Sequence, residues 1–316
     1  MTQEHWPALR LARACGGPAR VPFLLASEQP GPARVLGSVA VRDVERLRAW
    51  PDAFAIEVDA GGVPSAVVLV LAPAERDARL AQIHAVLREA GAIVGWRDEP
   101  YPLRDRGGGE HATIERAASR FWGTMTLGAH CNGYVVDASG RPGWLWIARR
   151  SLTKQTDPGR LDNLIGGGVP RGQSPREAVV REGWEEAGLL PAQMAGLEEG
   201  RVIELHADLP EGRQHERLFV FDLELPLGLE PRNVDGEVAE HRRMPVAEAL
   251  ARAAAGELTT DSALVTLDFA LRRGLLGTGL EPADARAGST LRQAFEALLH
   301  PAAAVDAGPV IQGTGR

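Results

Sequence analysis

The chain has 316 residues, enough for two domains with ordinary cores; 44% are hydrophobic and 24% charged, the balance of a soluble globular protein. A net charge of −7 argues against nucleic-acid binding, which needs a basic face, and no run approaches the roughly 18 apolar residues that read as a membrane span. Cys15 and Cys131 are too few for a disulfide framework or a thiolate zinc site.

The opening residues, MTQEHWPALRLARACGG, are interrupted by arginines and read as a short surface helix ending near Gly16-Gly17 rather than a leader, so the expected location is the cytoplasm. A strand follows over 21–26, then a helix containing Val44, Leu47 and Trp50. Strands over 53–58 and 66–71 flank a turn at Gly61-Gly62, and Leu80, Ile83, Val86 and Leu87 recur at helical spacing within 74–89. This part reads as a small α+β unit without a catalytic constellation. His84 falls in the helical stripe and is expected to be packed rather than to ligate.

Between 95 and 123, Trp96, Arg97 and Glu99 form a conspicuous group that reads either as packing at a domain junction or as a substrate contact. DRGGGE reads as an exposed connection and ATIERAASRFWG as a helix into the second domain. Strands are expected over 124–137 and 143–150; in the second, Trp144 and Trp146 alternate with Leu145 and Ile147, as in a sheet covered on both faces. Arg149, Arg150 and Lys154 gather beyond it, as a solvated basic patch or as an anion site.

The most informative stretch is 166–189, GGGVPRGQSPREAVVREGWEEAGL. Ser174 suits an N-cap, Pro175 the first helical position, Glu177 the reciprocal member of a capping box, and Gly188 a left-handed C-terminus. In the helix so delimited, Glu182, Glu185 and Glu186 share one face by their i, i+3, i+4 spacing. Three such carboxylates repel unless a cation joins them, and hard oxygen donors suit Mg²⁺ or Mn²⁺ shared with a substrate phosphate. A solvated acidic face explains the carboxylates alone, but not the glycines and caps around them.

Farther on, strands are expected over 201–207 and 216–225, the latter with Phe219, Phe221, Leu223 and Leu225 on one face. A short strand then leads to a helix begun by Pro245, and Asp235, Glu237 and Glu240 are the remaining acids within reach. Amphipathic helices over 261–273 and 289–299 precede an Ala-, Gly- and Pro-rich end that reads as disordered.

Taken together, 166–189 resembles the Nudix box, with Gly167 at its opening glycine and Arg181, Glu182, Glu185, Glu186, Gly188 and Leu189 matching. Gln173 stands where the family has a glutamate, and Gly183 replaces an aliphatic residue at about 1 kcal/mol of helix stability relative to alanine. The resemblance implies an α/β (α+β) protein whose Nudix part is an α/β/α sandwich around a mixed sheet. With GWRDE, LWIARRS, LDNLIGGG and DGEV, it extends to a branch that carries an N-terminal DUF4743-type domain and includes the Nudix half of fungal thiamine pyrophosphokinase fusions. The implied division is 1–118 for the N-terminal domain, 119–300 for the Nudix domain and 301–316 for the tail.

The implied activity is metal-dependent pyrophosphohydrolysis of a small-molecule diphosphate, with thiamine diphosphate or its oxidised analogues cleaved to the monophosphate. Glu182, Glu185, Glu186 and the Gly166 carbonyl would hold Mg²⁺ or Mn²⁺, with Glu182 alternatively the base. Arg181 would position the glutamates, Glu237 or Glu240 complete the site, and Arg149, Arg150 and Lys154 hold the diphosphate. Alternatives are an ADP-ribose-type hydrolase, a non-catalytic metabolite sensor and, given Cys131, an isoprenoid diphosphate isomerase. No nucleic-acid or membrane partner is expected, and homodimerisation is left open.

Overall fold

The computed structural model describes residues 6–27, 33–276 and 285–299; the expected tail at 301–316 lies outside them. Helix α1 (Pro7–Leu11) comes first, followed by strands β1 (Arg20–Leu25) and β2 (Arg34–Ala40), helix α2 (Val41–Leu47), strands β3 (Phe54–Val58) and β4 (Pro64–Leu69), and helix α3 (Arg76–Glu89). The strands form a sheet in the order β2-β1-β4-β3, parallel only between β1 and β4. Val44 and Leu47 of α2 and Leu80, Ile83 and Leu87 of α3 bury against Phe23, Phe54 and Val67. Val86, at the edge of the expected stripe, is exposed instead. His84 is buried, as expected, and accepts a hydrogen bond from Trp122 Nε1 at 2.8 Å.

Strand β2 was not anticipated, because Gly37 and Ser38 interrupt its apolar alternation. A β-carbon at Gly37 would overlap the Trp122 carbonyl oxygen, so the absent side chain is what admits the neighbouring helix. The helix expected over ATIERAASRFWG is also corrected. Its first half is strand β6 (Glu110–Glu115), paired antiparallel with β5 (Pro100–Arg104); only α4 (Ala118–Trp122) is helical. Ala112 and Ile114 are buried while their neighbours are not, a period of two that the helical reading overlooked.

The second half is built on β7 (Met125–Val136) and β8 (Pro142–Arg150), with the short strands β9 (Leu161–Asp162) and β10 (Ile165–Gly168) beside them. Helix α5 (Pro175–Ala187) leads on to β11 (Glu198–Leu209), β12 (Gly212–Glu224), β13 (Val238–Pro245), α6 (Val246–Ala254), α7 (Thr260–Arg272) and α8 (Ala285–Leu299). The main strand order is β11-β12-β7-β8-β13, with β12 and β7 parallel and the other neighbours antiparallel, so the sheet is mixed.

Alternation along the strands feeds two cores. Leu145 and Ile147 face one core with Leu218, Leu250 and Phe269, whereas Trp146 faces the other with Val179, Phe221 and Leu223. Helix α5 covers the second face and α6, α7 and α8 the first, giving the two covered faces that the alternation predicted and the α/β/α sandwich that the Nudix resemblance implied. Trp6, which caps α1, and Leu9 within it are buried in the first core, so the chain's first helix packs under the second half and not in the sheet that follows it. Among the described residues no helix is long and apolar enough to cross a membrane.

Candidate active site

Helix α5 begins and ends as its sequence dictates. The Ser174 side chain accepts from the Glu177 N–H, the Glu177 carboxylate accepts from the Ser174 N–H at 2.8 Å, and Gly188 closes the helix at φ 64°. This frame presents the glutamates to the glycine strand β10. Gly166 N–H donates to Glu186 Oε2 at 2.9 Å. A β-carbon at Gly167 would overlap the Glu182 carboxylate, so glycine is required there to let strand and helix approach. Gly183 is explained in the same way: its β-carbon would lie 2.5 Å from Met194 Sδ. The departure from the aliphatic pattern is thus a packing match with Met194 rather than only a loss of helix propensity.

Arg181 holds the outer carboxylates, with Nη2 2.7 Å from Glu182 Oε1 and Nη1 2.5 Å from Glu185 Oε2. Its Nε lies 3.4 Å from Gln173 Oε1, so Gln173 still orients the arginine. Glu186 is the buried one, and burial pushes its carboxyl up to about 8 although Lys154 lies 3.5 Å away. Burial also raises Glu182, against the pull of Arg181. Lys154 Nζ bridges Glu186 and Glu237. Glu240, by contrast, pairs with Arg149 at 3.5 Å on the strand register β13–β8. Of the two downstream acids, the fold brings Glu237 to the carboxylate face and leaves Glu240 away from it.

The three expected phosphate-binding cations separate. Lys154 lies among the carboxylates. Arg150 lines the cavity, but its Nη1 is 2.6 Å from Asp162 Oδ2 and its Nε and Nη2 donate to the Thr156 carbonyl. It anchors the 151–160 loop. Arg149 is exposed, donates to the Gly159 carbonyl at 3.0 Å and is absent from the cavity wall. Adjacent residues of a strand point to opposite faces, and this corrects the reading of the pair as one anion site. Cys131 is buried in the core beneath α5 and does not line the cavity, which removes the basis of the isomerase reading.

The carboxylates open into a cavity of about 1260 Å³ at the seam between the two halves of the chain. Its wall also includes Trp96, Arg97, Tyr101, Arg116 and Arg120, of which only Trp96 and Arg97 stood out in the sequence. Tyr101, Arg116 and Arg120 carried no motif; only the β5–β6 pairing and α4 bring them here.

The donor set suits a hard divalent cation. The oxygens are carboxylates, and buried Glu186 has its ionised form disfavoured despite a nearby lysine, as expected where a cation is needed. Among the described residues no group of three or more acidic, histidine or cysteine side chains already converges as a cage. Mg²⁺ does not require one, because it is bound by one or two carboxylates with water and substrate phosphate completing its shell.

Comparison with known proteins settles the family. Residues 128–263 match the NUDIX domain, and residues 22–126 match the domain of unknown function DUF4743. Nudix hydrolase 20, chloroplastic, of Arabidopsis thaliana is 33% identical over 266 residues, covering 81% of this chain and 68% of that protein. This chain belongs to the Nudix hydrolase family. Nudix hydrolase 24, chloroplastic, of the same plant is also 33% identical, over 259 residues, with 81% of this chain and 68% of that protein covered. Among solved structures, a Deinococcus radiodurans protein is similar at 24% identity and a TM-score of 0.42, over 54% of this chain and 99% of that one. The Nudix assignment makes the chain a hydrolase of pyrophosphate bonds, and Nudix hydrolases generally use divalent metals.

Proposed function

We propose that this Nudix hydrolase cleaves thiamine diphosphate, or an oxidised analogue of it, to the monophosphate with Mg²⁺ or Mn²⁺. The observation that carries this reading is the mixed charge of the cavity wall. Lys154, Arg97 and Arg116 suit a diphosphate, while Glu216 and Asp261 line the same cavity. Burial and the neighbouring Glu216 push the Asp261 carboxyl well above its usual range, a tension that a cationic ring such as thiazolium relieves. An ADP-ribose has no cationic ring to offer. The two-part arrangement, with a DUF4743 match before the NUDIX match, adds support through the thiamine-linked branch that the sequence resembles.

In this reading Glu185 and Glu186 would hold the metal, Glu182 would serve as the base rather than as a ligand, and Arg181 fixes the Glu182 and Glu185 carboxylates on that face. A bound divalent ion supplies charge neutralisation on the phosphates and an acidified water. Glu182, with its basicity raised by burial, takes the proton from the attacking water. Lys154 neutralises charge on the departing phosphate, and Glu237 holds Lys154 in place. We further propose that the functional division falls near residue 118, with the preceding sheet supplying one wall of the substrate site.

The test is a Mg²⁺-supplemented hydrolysis screen of thiamine diphosphate, oxythiamine diphosphate, ADP-ribose and NADH, read by product mass. Cleavage of thiamine compounds to monophosphates, at a kcat/KM at least tenfold above that for the nucleotides, is the expected result. Preference for a nucleotide would discard the substrate, and no turnover by a folded, metal-binding protein would favour a sensor.

A further inference from the structure

The cavity has a positive end that the box does not supply. Arg97 Nε is buried and has no hydrogen-bond partner. The carboxylate within its electrostatic reach, Glu99, accepts instead from Arg116 Nη1 at 2.8 Å. Arg116 lies over the Tyr101 ring, 5.3 Å from its centroid. The Tyr101 hydroxyl is likewise buried without a partner, although the side chain is only 2% exposed. These groups reach the glycine strand of the box. A β-carbon at Gly168 would overlap the Tyr101 hydroxyl and lie 3.0 Å from the Arg116 guanidinium carbon. Gly167, one residue back and about 3.8 Å away along the chain, abuts Glu182. Consecutive strand residues face opposite ways, so the carboxylate end and the cationic end abut opposite faces of β10 while lining the same cavity.

Burial and the neighbouring Arg116 lower Arg97 to about 10, and burial raises Tyr101 to about 12. At neutral pH the first stays a cation and the second a neutral O–H donor. Unmet donors of this kind are costly to bury, and the nearby carboxylates do not meet them: Glu99 accepts from Arg116, and Glu216, within electrostatic reach of Arg116 and Tyr101, accepts from Gln214 Nε2 at 2.7 Å. A group with two negative charges and several acceptor oxygens meets all three donors. A free terminal phosphate has that character. An inner or esterified phosphate carries one charge.

We propose that Arg97, Arg116 and Tyr101 form an anion subsite for the terminal phosphate of a diphosphate monoester, through which the N-terminal unit selects substrates whose outer phosphate is uncapped. This rests on the reading of the cavity as the place of diphosphate cleavage, but not on the thiamine moiety.

The test is calorimetric titration of inorganic phosphate and of dimethyl phosphate into the full-length, metal-free protein at pH 8. Arg97→Gln, Tyr101→Phe and Glu185→Gln are compared with the unmodified chain. The unmodified protein should bind phosphate at least tenfold more tightly than dimethyl phosphate. Arg97→Gln should abolish that preference, Tyr101→Phe should weaken phosphate binding a few-fold, and Glu185→Gln should not weaken it. Arg97→Lys, which keeps the charge and loses the fork, should fall between. Failure of the unmodified chain to bind phosphate, or undiminished binding by Arg97→Gln, overturns the subsite. The titration needs no turnover: phosphate binding through Arg97 in a protein that ignores thiamine compounds would discard the thiamine reading and keep the subsite.

Discussion

The α-carbon of Gly183 faces the thioether of Met194, and a β-carbon there would lie 2.5 Å from Sδ, 2.6 Å from Cε and 3.2 Å from Ile165 Cδ1. Helix propensity and packing therefore pull in opposite directions at this position. Replacement by alanine gains about 1 kcal/mol of propensity but must displace a buried, flexible methionine, so Gly183→Ala should be near neutral. Gly183→Ile cannot be relieved by Met194 alone, and overpacking should destabilise it by about 2 kcal/mol. Adding Met194→Ala opens the space, so the double variant should be more stable than the two single effects added together. Urea denaturation of the unmodified protein, Gly183→Ile, Met194→Ala and the double variant reads the coupling; strict additivity would mean that the two residues do not share the space.

Glu186 combines burial, a hydrogen bond from Gly166 N–H and a place on the carboxylate face. Glutamine keeps the acceptor and removes a buried acid. Glu186→Gln should therefore melt no lower than the unmodified protein while losing at least about a hundredfold in kcat, the scale of removing one electrostatic stabiliser. Glu185→Gln should also lose turnover, although its side chain is a third exposed. Full activity in both variants would remove the metal assignment.

Arg149 and Arg150 are neighbours in sequence with different fates. Arg150 and Asp162 form a largely buried pair, with side-chain exposures of 13% and 8%. Arg150→Ala should cost about 3 kcal/mol by stranding Asp162, lowering the melting temperature as well as activity. Arg149→Ala breaks an exposed pair and should leave kcat/KM within about twofold and stability within about 0.5 kcal/mol. A large loss of activity in Arg149→Ala with unchanged stability would return that residue to the substrate site.

Burial lowers His84 from 6.5 to about 4, so the folded protein resists protonating it. Above pH 6.5 neither state carries the charge, and the histidine has no effect on stability. As pH falls from 6.5 toward 4, the unfolded chain takes up the proton first, and stability should drop by about 3 kcal/mol in total from this residue. His84→Gln keeps an acceptor for Trp122 Nε1 and abolishes the titration. Urea midpoints at pH 7.5 and pH 5 should accordingly differ less in the variant, by about 2 kcal/mol when converted. An identical pH dependence in the two proteins would show that His84 is not the acid-sensitive group.

The parts legible in the sequence are those governed by neighbours in the chain. Trp146 and its flanking Leu145 and Ile147 announced a sheet with two cores because strand side chains alternate whatever surrounds them. Strand β2 was hidden because Gly37, which breaks its pattern, is there for the sake of a helix far along the chain. The end of β6 was mistaken for helix over 112–115 because so short a run fits either period until a partner strand is known.

At the site, the sequence alone determined the carboxylate face and its frame. The spacing of Glu182, Glu185 and Glu186, the Ser174–Glu177 box and the left-handed Gly188 all follow from one turn of helix geometry. Only the tertiary structure decided which cations meet those carboxylates. Lys154 arrives on a loop, Arg150 is diverted to Asp162, Arg149 faces away, and Arg97, Tyr101 and Arg116 come from the opposite side of a seam. Side-chain direction across such a seam is set by the packing of elements distant in sequence, and local periodicity carries no record of it.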